Sequence, residues 1–204
     1  MSKHRASIVA VMGASGSGKS LFIKAELRRT KPRRLVVWDP LGEYAEFGAA
    51  VRTLGELLAA ARAPTFRRVF HPSGDPEQAR KQFDVLCRIV FAAGDCTLVA
   101  EELAFVTSPS YAPPGWSECT LKGRHRALRI YGASQRPASI DKHFFGNATL
   151  IRTGRLNFAR DIKTLADVLQ VPAGQVQSLA PLQWIARDMA TGKIATGTEK
   201  IPGK

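Results

Sequence analysis

Short β-prone runs alternate with stretches of helical spacing from one end of the chain to the other. Residues 8–12, 35–38, 67–70, 96–100, 128–133 and 148–152 read as strands, several of them apolar throughout, as buried parallel strands are. Residues 21–29, 54–63, 76–93, 116–127 and 158–170 read as helices. Asp75-Pro76 opens the longest helix, with an acid at the cap and proline in the first turn, and Gly94-Asp95 closes it. Phe83, Leu86, Ile89 and Val90 give that helix one apolar stripe. Phe158, Ile162, Leu165 and Leu169 give the last helix another. TSPSYAPPG, residues 107–115, reads as a surface loop. Residues 183–188 and 193–198 flank Ala190-Thr191-Gly192 as a β-hairpin. The alternation predicts an α/β fold: a mostly parallel central sheet flanked by helices, a C-terminal β-hairpin, and residues 1–204 as a single domain.

The first strand runs into Gly13-Ala14-Ser15-Gly16-Ser17-Gly18-Lys19-Ser20, and helical spacing begins at Leu21. The string fits G-x-x-x-x-G-K-[ST] at every fixed position, and a strand before it with a helix after it is the context the motif needs. Its glycines let the backbone turn so that N–H groups converge on an anion at the helix N-terminus. Lys19 would reach the β- and γ-phosphates, and the Ser20 hydroxyl would sit on Mg²⁺. ATP and Mg²⁺ are therefore the expected ligands. A glycine-rich turn with no ligand is the plainer reading, but position, flanks and the Lys19-Ser20 pair agree on the phosphate loop.

The strand over 96–100 ends in Glu101-Glu102. Paired acids downstream of a phosphate loop suit a hydrolase site, one holding the Mg²⁺ shell and the other activating water. Strand alternation would point the two side chains to opposite sides. Two exposed acids favouring the dipole of a following helix is the blander alternative. The strand over 128–133 ends in Ser134-Gln135-Arg136-Pro137. A Gln at that tip can sense the γ-phosphate or orient water, and a turn before proline is the blander alternative.

Charge extends the picture to partners. Thirty Lys and Arg stand against 17 Asp and Glu, a formal net charge of +13. That excess fits a polyanion, nucleic acid first, although a basic surface or compensation for bound triphosphate would also produce it. Cys87, Cys96 and Cys119 show no C-x-x-C spacing, so neither a zinc site nor a disulfide framework is expected, and Cys87 and Cys96 read as core. No apolar run reaches the ~18–20 residues of a membrane span. Residues 1–6 are short, polar and basic, which leaves no room for a signal peptide, so the cytoplasm is the expected location.

Four segments, in this order, resemble the FtsK/HerA superfamily of P-loop DNA-pumping ATPases. GASGSGKS resembles its Walker A motif, LVVWDPLGEY its second strand, and TLVAEE its Walker B motif. YGASQRP resembles its third motif, with Gly123-Arg124 as the pair on the preceding helix. The likeness covers residues 7–155. The compact chain is most similar to the genome-packaging ATPases of tailless icosahedral viruses with an internal membrane. The resemblance implies a RecA/FtsK-like P-loop NTPase fold and ATP hydrolysis coupled to translocation of double-stranded DNA, held without reading its sequence. It makes Glu101 the Mg²⁺-linked acid, acting through water, Glu102 the catalytic base and Gln135 the sensor. It also implies an arginine finger supplied in trans, worth about 10³–10⁵ in rate. Arg124 is the first choice, with Arg126 and Arg152 as alternatives. One departure leaves the split of roles open: the family's first Walker B acid is usually Asp, and here it is Glu101.

The same resemblance implies a homo-oligomeric ring, pentamer or hexamer, with capsid portal or vertex proteins as further partners. It places the protein in the host cytoplasm or at the packaging vertex of the virion. Loops containing Lys122, Arg124, Arg126 and Lys142 are the first candidates for DNA contact. Two alternatives stay open. A nucleotide kinase also opens on such a loop, but Glu101-Glu102, the SQRP string and the charge argue against it. An assembly or secretion ATPase of the filamentous-phage type has a similar core but normally a membrane span.

Overall fold

The computed structural model describes residues 6–201, so the basic residues 1–5 lie outside the described residues. The strands are β1 Ser7–Met12, β2 Arg34–Trp38, β3 Ala49–Val51, β4 Phe66–Phe70, β5 Thr97–Ala100, β6 Arg129–Ser134, β7 Leu150–Gly154, β8 Gln183–Asp188 and β9 Ile194–Thr198. The helices are α1 Lys19–Thr30, α2 Leu54–Ala61, α3 Pro76–Ala93, α4 Pro114–Lys122, α5 Lys142–Asn147, α6 Ala159–Leu169 and α7 Ala173–Gln177. The strands form one sheet in the order β3-β4-β2-β5-β6-β1-β7-β8-β9. Pairing is parallel from β3 through β7, and β8 and β9 add on antiparallel.

Both faces of the sheet are covered, which is why its central strands are apolar throughout. On one face Val9, Val11, Leu35, Val37 and Val99 pack against Ile23 and Leu27 of α1. On the other, Ala10, Met12, Val36, Trp38 and Leu98 meet Phe83 and Leu86 of α3, Trp116 of α4, Phe144 of α5 and Leu165 of α6. Cys87, Cys96 and Cys119 are buried free thiols in this second core. The predicted α/β architecture, its parallel sheet and its terminal hairpin are all present.

The differences are local. β3, α5 and α7 were not expected, because three to six residues are too few to show a period. The helix expected over 116–127 starts earlier, with proline in its first turn at Pro114, and gives way to a 3₁₀ turn over Gly123–Arg126. Gly115 lets α4 lie against α3, since a Cβ there would come within 2.3 Å of the Asp84 carbonyl oxygen. The loop over 107–115 is not wholly a surface feature: Thr107 is buried and donates to the Leu103 carbonyl at 2.9 Å. Phe158 is not a core residue. It caps α6 from outside and is half exposed.

Candidate nucleotide site

β1 lies between β6 and β7, and all three parallel strands deliver their C-terminal ends to one edge. The phosphate loop leaves β1 there. At Gly13 φ is +148°, and a Cβ would meet Ser17 Oγ at 2.3 Å, so only glycine lets the loop fold on itself. Gly18, at φ +95°, caps α1 without a side-chain bond. The first N–H groups of α1 are thus left for an anion. Lys19 Nζ donates to the carbonyls of Gly13 at 2.8 Å and Ala14 at 3.2 Å, holding its ammonium over the loop. Burial pulls its pKa below that of an ordinary lysine, against the attraction of Glu101, Glu102 and Glu43.

β5 ends at Ala100, and the two acids follow it into the same cavity. Glu101 is buried and accepts a hydrogen bond from the Tyr44 phenol. Burial pushes its carboxyl up to about 7, with the Tyr44 hydrogen bond and Lys19 pulling the other way. Glu102 sits at φ 48°, ψ 59°, off the strand and in the left-handed region. It accepts from Ser134 Oγ at 3.2 Å and from the Gln135 N–H at 3.3 Å. Strand alternation therefore does not govern this pair as expected. The acids diverge toward neighbouring elements, Glu101 to the loop after β2 and Glu102 to the tip of β6. A left-handed non-glycine residue is the kind of backbone cost that concentrates at functional sites.

The loop after β2 completes the site. Asp39 is fully buried and accepts from the N–H groups of Glu43 at 3.0 Å and Tyr44 at 2.9 Å. That turn aims Tyr44 at Glu101 and brings Glu43 to Ser20, whose hydroxyl donates to Glu43 Oε2 at 2.6 Å. Glu43 and Tyr44 are site residues that sequence reasoning quoted only inside the DPLGEY string. The available signal was an acid followed four and five residues on by Glu and Tyr.

Together these groups line a cavity of about 340 Å³. Ser15, Gly16, Ser17, Gly18, Lys19, Ser20 and Leu21 form one wall, and Glu43, Glu101, Glu102 and Gln135 face them. Gly13 and Ala14 lie behind, engaged by Lys19. Lys24, Leu41 and Leu182, absent from the sequence expectation, complete the lining.

No known family profile matches the chain. It is 29% identical over 173 residues to Protein P9 of Pseudoalteromonas phage PM2, covering 83% of this chain and 78% of that protein. Among solved structures it superposes on the genome packaging NTPase B204 of Sulfolobus turreted icosahedral virus 2 in complex with AMPPCP. The TM-score is 0.74 at 18% identity, covering 98% of this chain and 100% of that one. The bacterial conjugative coupling protein TrwBΔN70 also superposes, with a TM-score of 0.74 at 11% identity over 98% of this chain and 86% of that one. The chain has the P-loop NTPase fold. Its resemblance to FtsK-like and viral genome-packaging ATPases thus extends from motifs to architecture.

In this P-loop NTPase fold the donors around Ser20 fit Mg²⁺. The Ser20 hydroxyl oxygen and the Glu43 and Glu101 carboxylates are hard oxygen ligands, and Ser20 keeps lone pairs free while donating to Glu43. No cluster of three or more His, Cys, Asp or Glu forms a ready cation cage among the described residues.

The candidate arginines separate by what they touch. Arg126 donates to the carbonyls of Phe91 and Ala92, capping the end of α3. Arg152 is buried, ion-paired with Glu199, and stacked 4.3 Å from the Phe22 ring and 3.9 Å from the Trp184 ring. Burial lowers its pKa to about 10, against Glu199. Both are committed to contacts within the chain. Arg124 is exposed, with Nε 3.3 Å from His125 Nε2, in the turn before β6. That turn lies at the sheet edge opposite the phosphate loop. Lys122 pairs with Glu118 at 3.6 Å, and Lys142 is exposed at the start of α5.

The terminal hairpin supports the site from the side. β8 pairs with β7, and Glu199 follows β9 to reach Arg152. A Cβ on Gly18 would come within 2.9 Å of Glu199 Cγ, so the end of the hairpin presses on the phosphate loop. Among the described residues, no helix is long and apolar enough to cross a membrane.

Proposed function

We propose that the chain is an ATPase motor that translocates double-stranded DNA in viral genome packaging, with residues 1–204 as one motor domain working in a homo-oligomeric ring. One observation carries this reading. Among the described residues, the cavity gathers the phosphate loop, Lys19, two acids and Gln135, but no arginine. The charge on a transferring phosphoryl group would then be met by an arginine from a neighbouring subunit, and Arg124 is the uncommitted candidate. The likeness to the genome packaging NTPase B204 supports the packaging role, and the likeness to Protein P9 of phage PM2 supports a viral setting.

ATP would lie along Gly13–Ser20, with Lys19 turning from the loop carbonyls to the β- and γ-phosphates. The Mg²⁺ bound with it would supply positive charge to the triphosphate. Ser20 and, through water, Glu101 would hold that ion, with Glu43 behind Ser20. Glu102 would orient the attacking water and take its proton. Ser134 and Gln135 tie Glu102 to β6, so a change at the γ-phosphate would pass to that strand. A nucleotide kinase would need an acceptor site and an arginine-rich lid, which the arginine-free lining argues against. Capsid portal or vertex proteins are the expected further partners, in the host cytoplasm or at the packaging vertex.

The test is steady-state ATP hydrolysis with and without long duplex DNA for wild type, Lys19→Ala, Glu102→Gln and Arg124→Ala. DNA-stimulated turnover should disappear in each variant. Mixing Arg124→Ala with Glu102→Gln should restore it, because one mixed interface joins an intact Glu102 to an intact Arg124. Phosphate passing to a nucleotide acceptor, without DNA stimulation, would overturn the motor.

A further inference from the structure

Six cations crowd the sheet edge opposite the phosphate loop. Arg34 opens β2, Arg67 and Arg68 lie in the first half of β4, and Arg129 opens β6. Lys31 and Arg33 join them from the connection between α1 and β2. Two cavities share Pro32 and Arg33 along this edge. A groove of about 610 Å³ takes Lys31, Arg67 and Arg68 on its walls. A smaller one of about 60 Å³ takes Arg34 and Arg129.

Acids are scarce there. The walls carry only Glu46 and Asp95 among the described residues, and Glu46 is held by Arg28 at 2.7 Å. Glu26, whose charge reaches Arg129, is held by Arg29 at 2.7 Å. None of the six cations forms an ion pair among the described residues. Nε of Arg34 and Nε of Arg67 are buried donors with no acceptor among the described residues. Crowded like charges work against folding, and buried donors are normally satisfied. Arg34 Nη2 does donate to the Ala61 carbonyl at 3.3 Å and its guanidinium lies 5.2 Å from the Phe66 ring centroid, but the charges of the six go unpaired among the described residues.

The spacing is informative. Arg67 pairs across to Leu35, Leu35 to Thr97, and Thr97 to Arg129. The two arginines therefore stand in one row, three strand spacings or ~14 Å apart. A row of that length can follow successive phosphates along one DNA strand. We propose that this basic edge is a docking surface for the phosphate backbone of duplex DNA, separate from the nucleotide site and continuous with the turn that carries Arg124 and Arg126. The proposal rests on the DNA-motor reading. The contact is electrostatic and sequence-independent, as side chains ranged along a backbone are.

Fluorescence anisotropy of a labelled, random-sequence duplex, titrated over about 50–200 mM NaCl, tests it. The variants are Lys31→Asn/Arg33→Gln and Arg33→Gln/Arg68→Gln, compared with Arg160→Ala/Lys163→Ala, which removes two exposed charges from α6. Each edge variant should flatten the log–log salt slope by about 2, one per phosphate contact, with ATP hydrolysis in the absence of DNA unchanged. The α6 variant should leave the slope near wild type. Equal flattening in all three variants, or none in the edge variants, would overturn the docking surface while leaving the motor reading in place. Wild type that hydrolyses ATP but does not bind the duplex would overturn both. Edge variants that lose binding of poly-glutamate but not of DNA would assign the surface to an acidic protein and overturn the proposal.

Discussion

Tyr44 donates its phenolic hydrogen to Glu101, joining the loop after β2 to the tip of β5 inside the site. Tyr44 is fully buried, and its own N–H donates to Asp39 at 2.9 Å. Burial and the nearby Glu101 charge push the phenol pKa well up, so it remains a donor across the working range. Tyr44→Phe keeps the ring and removes only the donor. A buried carboxyl that loses a partner costs about 1–3 kcal/mol, which thermal unfolding should register. Because Glu101 also lines the candidate nucleotide cavity, kcat should fall about tenfold, or ~1.4 kcal/mol, with KM nearly unchanged. Wild-type kcat in a destabilised Tyr44→Phe protein would make the bond structural only.

Glu101 also sets a pH dependence in the metal-free protein. Its carboxyl is raised from 4.5 to about 7 by burial, with Tyr44 and Lys19 opposing. The folded state therefore holds the proton more tightly than the unfolded chain. This contribution is fully present below the unfolded value, is lost as pH rises toward the folded value, and is flat above it. Between pH 5 and pH 8 the loss is roughly 2–3 kcal/mol at about 1.4 kcal/mol per pKa unit. Glu101→Gln cannot ionise and should lack that slope. Urea unfolding in EDTA at both pH values compares the two proteins, and parallel profiles would mean that Glu101 does not carry the proton.

Arg152 and Glu199 connect β7 to the end of the hairpin beside Gly18. Both side chains are mostly buried, so removing one strands a charge in low dielectric at a cost of about 3–5 kcal/mol. Arg152→Leu and Glu199→Leu should each lower Tm more than the double variant does. A double variant as unstable as the sum of the singles would show that the two are not coupled. The pair commits Arg152 to the fold, so its loss should destabilise the edge of the site.

What could be read in advance was local. GASGSGKS shows itself because every fixed position lies within eight residues, and Glu101, Glu102 and Gln135 fall at the ends of apolar runs that mark strands. The rest depends on contacts between distant segments. Glu43 and Tyr44 enter the site because Asp39 turns their loop back. Arg126 and Arg152 look like free basic residues until α3 and Glu199 are folded beside them. Glu102 reads as the next strand residue, but its left-handed backbone ends the alternation. Phe158 fits an apolar stripe by spacing, yet it lies outside the core because the first turn of α6 belongs to Arg136 and Asp161.

Asp161, in that first turn, is fully buried and accepts from Arg136 Nε at 2.8 Å and from the Ala138 N–H at 2.9 Å. The Arg136 guanidinium also lies 4.1 Å from the Phe158 ring centroid. These bonds fix the segment after β6 just beyond Gln135, whose N–H holds Glu102. Asp161→Asn keeps the shape but turns an ion pair into a neutral contact, and it can face Arg136 with an amide donor. Tm should fall by several degrees. The kcat for ATP hydrolysis should fall about tenfold, equivalent to ~1.4 kcal/mol, while affinity for a non-hydrolysable ATP analogue, which rests on the phosphate loop, stays near wild type. Lower stability with an unchanged kcat would leave Asp161 as scaffold, because a strand tip that positions the proposed catalytic base cannot lose its anchor and keep its rate.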